Sequence, residues 1–421
     1  MPLFDSSSAP AESGELHTAQ RPQPQQTGRD PGRIRVLDQM RGIALLAIFL
    51  CNLPGLTGRQ YGEGLTLIGD TTLGNELHSL VRLFFGNSSR PLFAFMFGIS
   101  MLLIYDSRRR SGRSPQWTLL RRMLMLLLIG AAHLYGVWEG DILFMYALDG
   151  LLLLLFVRLP APVLTALGLL GFALVPQIAQ MLLPHIGGVV LDPGYWIFAG
   201  LGRIIDPEVL FAQPHLVEAL GELALALEHL PFFLLGMAAY RGGLFAGLPR
   251  HPAIGWTTSL LLLLAGLLGK GLYVNAYFGD TQSVIYQFAC FAVTLGAAMA
   301  IILIGNGPGK RLLEPFTAAG RMAFSNYLFQ SLVFVSIFSQ SGRTIFSAFG
   351  WIDPLPYSVL LPAAVLFFAL QMALSHLWLR RFRYGPFEWL WRIGTNLELP
   401  AIRRTDAGRT VAERPDIGGT V

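Results

Sequence analysis

The chain has 421 residues, of which 53% are hydrophobic and 14% charged, with a formal net charge of +5. A soluble domain carries about 25% charged residues, so this chain lacks the polar surface to cover itself in water, and a mean hydropathy of +0.52 points to the bilayer as its solvent. The positive balance does not indicate nucleic acid, because the basic residues are not interleaved with aromatics on one surface. Cys51 and Cys290 sit in apolar runs and suit neither a disulfide framework nor a ligand cluster.

Residues 1–32 are rich in Ser, Pro and Gln and have no apolar core. They read as a disordered cytoplasmic tail, not a cleavable signal peptide, and 397–421 reads the same way. The intervening 33–396 is one hydrophobic body. A helix needs about 20 apolar residues to cross about 30 Å of hydrocarbon. Candidate spans are 38–56, 84–105, 118–137, 141–159, 161–183, 221–240, 253–277, 282–305, 318–339 and 357–379. The fold class expected is all-α: a polytopic membrane helix bundle of about ten transmembrane helices. Residues 184–220, whose short apolar runs are broken by Pro and Gly, form a long outer loop carrying interfacial or re-entrant helices.

Charge orients the bundle. Arg33 and Arg35, the run Arg108 to Arg122, Arg158, Arg241 and Arg250, Lys310 and Arg311, and Arg380 to Arg392 fall in alternate connections. The intervening connections hold about one basic residue each, such as Arg59, Arg203 and Arg343. The positive-inside rule makes the basic side cytoplasmic. An even span count then puts both termini there, in a multi-pass membrane protein.

Ionisable groups at membrane depth are costly and mark candidate sites. Asp38 and Arg41, three residues apart, share a face at the start of the first span, where Gly42 permits close packing. Arg122 and His133 are eleven residues apart, three helical turns plus about 20°, so one face carries both with a rise of about 16 Å. From spacing alone, a snorkelling arginine and a carbonyl-bonded histidine are the simpler explanation. Asp141 follows Gly140 and suits a helix N-cap; a capping carboxylate there can also orient His133 across the turn, while Glu139 is solvated. Asp149 lies two turns deeper. Glu222, Glu228 and His229 lie in or near the sixth span. Lys270 is expected to snorkel at the end of the seventh. Asn326 and Gln330 share a face of the ninth and suit helix–helix hydrogen bonds. In RRFRYGPFEWLWR (380–392), Gly385 and Pro386 break the tenth helix, and FEWLWR restarts a short amphipathic one whose Trp389, Trp391 and Arg392 suit the headgroup layer. No P-loop, HExxH, GxSxG or metal-spaced Cys/His set occurs.

Four stretches carry a resemblance: RVLDQMRGIALLAIFLCNL, GAAHLYGVWEGDILFMYALDGL, AAGRMAFSNYLFQS and RYGPFEWLWR. In this order they resemble the YeiB-like family of bacterial inner-membrane proteins, whose shared C-terminal region is a domain of unknown function. The resemblance covers most of 33–396. Asp149 departs from it, falling where the family is apolar. The LDxxRG opening and the Arg122–His133 helix are also distantly similar to transmembrane acyltransferases, including acyltransferase-3 proteins and heparan glucosaminide acetyltransferases. Those move an acyl group from cytosolic acyl-CoA to an acceptor at or across the membrane. The lysosomal members carry their histidine after the first span, where His78 is the nearest match.

The resemblance implies acyl transfer. Arg122, Arg121 and Arg41 would bind the acyl-CoA phosphates, and a pantetheine arm of about 15–20 Å would match the rise to His133. His133 would deprotonate an envelope or lipid-linked acceptor, and Asp141 would hold its tautomer. Arg203, Glu228 and Asn326 are further candidates for substrate binding. No metal and no bound cofactor are expected; acyl-CoA is a co-substrate. The partners expected are the lipid bilayer, acyl-CoA and the acceptor, with no nucleic acid. Two alternatives stand beside this: a proton-coupled transporter of a small solute using Asp149, Glu228, His133 and His229, and a non-catalytic membrane partner docking through GPFEWLWR.

Overall fold

The computed structural model describes residues 35–59, 61–62, 66–182, 229–272, 284–338 and 355–404. The expected outer loop at 184–220, the tail 1–32, and Arg203, Glu222 and Glu228 lie outside the described residues. The helices are α1 Arg35–Leu56, α2 Thr72–Phe85, α3 Ser89–Arg110, α4 Pro115–Gly136, α5 Leu143–Leu153 and α6 Ala161–Leu182. Then come α7 over 229–241, α8 Pro252–Gly271, α9 Val284–Asn306, α10 Lys310–Arg321, α11 Ala323–Phe338, α12 Tyr357–Arg381 and α13 Pro386–Asn396. Among the described residues no strand occurs; Tyr61 with Leu67 and Phe382 with Arg403 make isolated bridges. The all-helical architecture is therefore the expected one.

Among the described residues, six helical stretches are long and apolar enough to cross a membrane: Arg35–Leu56, Thr72–Arg110, Pro115–Gly136, Pro252–Gly271, Ile285–Asn306 and Tyr357–Arg381. Shorter apolar helices at Leu143–Leu153, Ala161–Ala173 and Ala323–Phe338 occupy three more of the expected positions. The remaining expected span, 221–240, is described only from residue 229. Outward stripes of leucine on α8 (Leu260, Leu264, Leu268) and α12 (Leu366, Leu370, Leu377) are exposed, as helices facing lipid require.

Three elements differ from the hydropathic reading, each for an identifiable reason. The stretch 72–110 is two helices, because Asn87 adopts φ 50° and the chain turns between Gly86 and Ser88. The buried Lys270 holds that turn open, donating to Gly86 O at 2.6 Å and Ser88 Oγ at 3.2 Å; it does not snorkel. The fourth span is regular only over Leu143–Leu153. Beyond it the amides of Leu154, Leu155 and Phe156 bond three residues back in tight turns ahead of Pro160. The ninth is split between α10 and α11 at Met322, where a carboxylate from α13 takes the first amides of α11.

Close backbone approach sets the packing. A Cβ on Gly98 of α3 would stand 2.1 Å from Phe233 O, and one on Gly236 of α7 would stand 2.0 Å from Phe95 O. That reciprocal crossing is available only to glycine at both positions. At α1, Gly42 faces the backbone of Phe316 on α10 in the same way. Residues 397–404, assigned to a tail by composition, pair with 381–383: Arg383 N donates to Ile402 O at 2.8 Å and Arg404 N to Arg381 O at 3.0 Å.

Candidate active site at the α4–α5 turn

The site is built by the turn GVWEGD. The amides of Val137 and Trp138 both donate to His133 O at 2.9 Å, ending α4. The chain reverses, and α5 comes back against α4 with no side chain between them at Gly130, where a Cβ would stand 2.5 Å from Phe144 N. His133 lies one turn after Gly130 on the same face. Asp141 at the start of α5 is thereby brought to it.

Asp141 is fully buried and His133 is 4% exposed. Asp141 Oδ1 is 2.7 Å from His133 Nδ1. Its Oδ2 accepts from Phe144 N at 2.8 Å, a capping bond at the first turn of α5. Tyr327 of α11 closes the group: its hydroxyl donates to Asp141 Oδ1 at 3.4 Å and accepts from Ile142 N at 3.2 Å. The Tyr327 and His133 ring centroids are 5.5 Å apart. A carboxylate is acceptor-only, so Nδ1 carries a proton, and in the neutral imidazole Nε2 carries the lone pair. Nε2 is buried and meets no hydrogen-bond partner among the described residues. An imidazole held in this way can act as an oriented base.

At the other end of α4, Arg122 lies over the Trp391 ring at 3.5 Å from its centroid. Trp391 Nε1 donates to Arg122 O at 2.7 Å. Gly394 leaves room for Met125, whose Sδ would stand 2.3 Å from a Cβ there. Helix α13 therefore packs on the bundle through Trp391, in addition to any interfacial role. Arg41 and Arg392 lie within electrostatic reach of Arg122. Arg41 binds Asp38 at 3.0 Å and Ser100 Oγ at 2.6 Å. Arg121 Nε is buried without a partner, and Arg108 donates to Asn396 Oδ1 at 2.6 Å. Because α4 is unbroken from Pro115 to Gly136, the eleven residues from Arg122 to His133 rise about 16 Å.

The GPFEWLWR stretch contains a residue that sequence reasoning missed. Glu388 Oε1 accepts from Phe324 N at 2.9 Å and Ser325 N at 3.0 Å, and Oε2 accepts from Ser325 Oγ at 2.5 Å. Ser325 Oγ in turn accepts from Phe387 N at 3.0 Å. Burial pushes the Glu388 carboxyl above its ordinary 4.5, opposed by the bonds from Ser325 and the backbone amides. Glu388 thus caps α11 one turn ahead of Tyr327. A glutamate three residues after Gly385 reads naturally as a cap for its own helix; the helix it caps lies 63 residues away in sequence.

The other candidates are dispersed. Asn326 Nδ2 donates to Ser375 Oγ at 2.9 Å and Ala319 O at 3.3 Å, and Gln330 Nε2 donates to Gln371 Oε1 at 2.8 Å. The bonds to Ser375 and Gln371 join α11 to α12 and the one to Ala319 joins it to α10; Asn326 makes none to His133. Asp149 is buried with neither oxygen hydrogen-bonded. His78 is buried between aromatic rings, stacked on Tyr61 at 5.7 Å and edge-on to Tyr357 at 5.3 Å. Arg59, legible only as a loop cation, forms a buried pair with Asp70 at 2.6 Å and also donates to Leu355 O. Asp70 Oδ2 accepts from Tyr357 N at 2.9 Å. Among the described residues no three His, Cys, Asp or Glu side chains cluster to hold a metal.

Apolar helices of spanning length, glycine crossings and outward leucine stripes define an all-helical protein of membrane type, with one buried His–Asp pair near a helical turn. Residues 239–398 match the family "Protein of unknown function (DUF418)". The chain is 30% identical over 400 residues to the "Uncharacterized protein YxaH" of Bacillus subtilis (strain 168), covering 88% of this chain and 96% of that one. It is 26% identical over 410 residues to the "Uncharacterized protein YeiB" of Escherichia coli (strain K12), covering 88% and 98%. The "Uncharacterized 39.9 kDa protein in amylase 3'region" of Bacillus acidopullulyticus is 26% identical over 386 residues, covering 89% and 97%. The chain belongs to this YeiB-like, DUF418-containing family. Tyr327 and Glu388 fall inside the matched 239–398 segment, and His133 and Asp141 precede it.

Proposed function

We propose that this protein is a membrane acyltransferase in which His133 is the general base. One observation carries the reading. A buried imidazole is hydrogen-bonded through Nδ1 to the buried Asp141 carboxylate, and its Nε2 has no partner among the described residues. A purely structural histidine in a low-dielectric interior is disfavoured with one ring nitrogen unsatisfied. A general base needs that nitrogen for its substrate.

In the step, Nε2 takes the proton of an acceptor hydroxyl or amine as its oxygen or nitrogen attacks the thioester carbonyl of acyl-CoA. The C–S bond breaks, and the imidazolium returns the proton to the leaving thiolate. Asp141 stabilises the imidazolium and fixes its tautomer. Arg122, with Arg41, Arg121 and Arg392 nearby, gives the acyl donor's phosphates a cationic rim, and the pantetheine length suits the rise along α4. This reading puts the arginine end and both termini on the cytoplasmic side of a bacterial inner membrane, in keeping with the positive-inside rule, and takes the acceptor from lipid-linked or envelope glycans. The likeness to known membrane acyltransferases rests on the LDxxRG opening and the Arg122–His133 helix alone.

The test is transfer of label from radiolabelled acetyl-CoA to lipid and glycan fractions by the full-length protein in proteoliposomes. The wild type should transfer and His133→Ala should not. Transfer by His133→Ala at the wild-type rate ends the reading.

A further inference from the structure

Asp149 lies on α5, two turns beyond Asp141, with its whole surface buried and neither carboxyl oxygen bonded to a donor. The next position on α5 packs against apolar groups. A Cβ on the adjacent Gly150 would stand 2.1 Å from the Met123 thioether and 3.6 Å from the Phe97 ring. Tyr146, one turn away, gives its hydroxyl to Arg90 O at 2.6 Å.

The ordinary reasons for a buried carboxylate do not apply. Asp149 is in mid-helix and caps nothing. The elements around α5 carry Arg121, Arg122, His133 and Tyr135 on α4, Arg90, Tyr105, Asp106 and Arg108 to Arg110 on α3, His229, Tyr240 and Arg241 on α7, and Tyr327 on α11, beside Tyr146 on α5 itself. None of them is hydrogen-bonded to Asp149. A hard cation needs six or more oxygen ligands, and no three acidic, His or Cys side chains cluster among the described residues. An ionised carboxylate without a donor is strongly disfavoured in such a setting. The one ligand that a single buried carboxyl without a donor can hold is a proton.

We propose that Asp149 is a proton-binding site in the interior of the bundle. Its carboxyl holds a proton while α5 is packed against α3 and α4, and releases it when that packing opens to water. The site is independent of acyl transfer: no acyl donor or acceptor enters the argument.

The experiment treats the full-length protein, in phosphatidylcholine–phosphatidylglycerol vesicles without acyl donor, with the hydrophobic reagent dicyclohexylcarbodiimide. A protonated carboxyl adds across one C=N bond, oxygen to the central carbon and proton to nitrogen. The O-acylisourea rearranges by O-to-N acyl shift to a stable N-acylurea; nothing leaves and nothing is oxidised. Peptide mass mapping should locate the adduct on Asp149, with a labelled fraction that falls as pH rises. Asp149→Asn should lack the adduct, and His133→Ala should label like the wild type. Because the wild-type pH profile is itself diagnostic, a misfolded Asp149→Asn protein leaves the test intact. An adduct that forms only after denaturation, or labelling independent of pH, overturns the proposal.

Discussion

Gly385 has φ −68° and ψ 163°, a backbone conformation open to any residue. Alanine there is therefore penalised only by what its methyl meets: Glu388 Oε2 at 2.1 Å and Ser325 Oγ at 2.8 Å. The serine can rotate away, but the carboxylate can move only by giving up its bonds to Phe324 N, Ser325 N and Ser325 Oγ. Glu388→Ala removes the same bonds and should cost about 2–4 kcal/mol, the range for charge-assisted bonds at a helix start. Gly385→Ala should then cost about 2–3 kcal/mol in the wild type and under about 1 kcal/mol in the Glu388→Ala background, a coupling of about 1–2 kcal/mol. The measurement is unfolding of the full chain in mixed micelles, followed by the fluorescence of Trp389 and Trp391 on α13. Equal costs for Gly385→Ala in both backgrounds would refute the account of why GPFEW needs its glycine.

Glu388 also sets a pH dependence. Burial raises its carboxyl above 4.5 in the folded state, so the folded protein holds this proton more tightly than the unfolded chain. The contribution to stability is complete below the unfolded value and is lost as pH rises through the folded one; Glu388→Gln should flatten that slope in pH-dependent melts. Arg59→Met leaves Asp70 buried beside two backbone amides without its cation, and should destabilise by about 3–5 kcal/mol in the same unfolding assay. Asp141→Asn turns an NH2 toward either His133 or Phe144 N, where the carboxylate accepts from both. Acyl transfer should fall about 10²–10⁴-fold with a stability loss of about 1–2 kcal/mol, and a variant with unchanged transfer removes Asp141 from the chemistry. Tyr327→Phe should cost about 1 kcal/mol and leave transfer largely intact, since Asp141 keeps its bonds to His133 and Phe144.

Hydropathy and loop charge act over windows of twenty residues, and at that scale the chain is transparent. An all-helical bundle for lipid follows from composition, and α1, α4, α8, α9 and α12 follow from uninterrupted apolar runs. The His133–Asp141 pairing was also within reach, because both residues flank one turn and Asp141 is a capping residue eight positions on. Gly385–Pro386 likewise marks a break that any sequence with that dipeptide would show.

What windows cannot see is one group acting across a large separation. The split of 72–110 depends on Lys270 reaching Gly86, 184 residues away, and the restart at Ala323 depends on Glu388. The buried Arg59–Asp70 pair becomes a fold element only when α12 brings the Tyr357 amide to it. Hydropathy treats Lys270 and Arg59 as charges seeking water. In an interior without water, a charged group is satisfied by whichever carbonyl or carboxylate the packing delivers, and that delivery is a property of the assembled bundle. Apolar length commits this chain to the membrane, because backbone groups in lipid must bond within helices; the partners of its buried polar groups are chosen only when those helices meet.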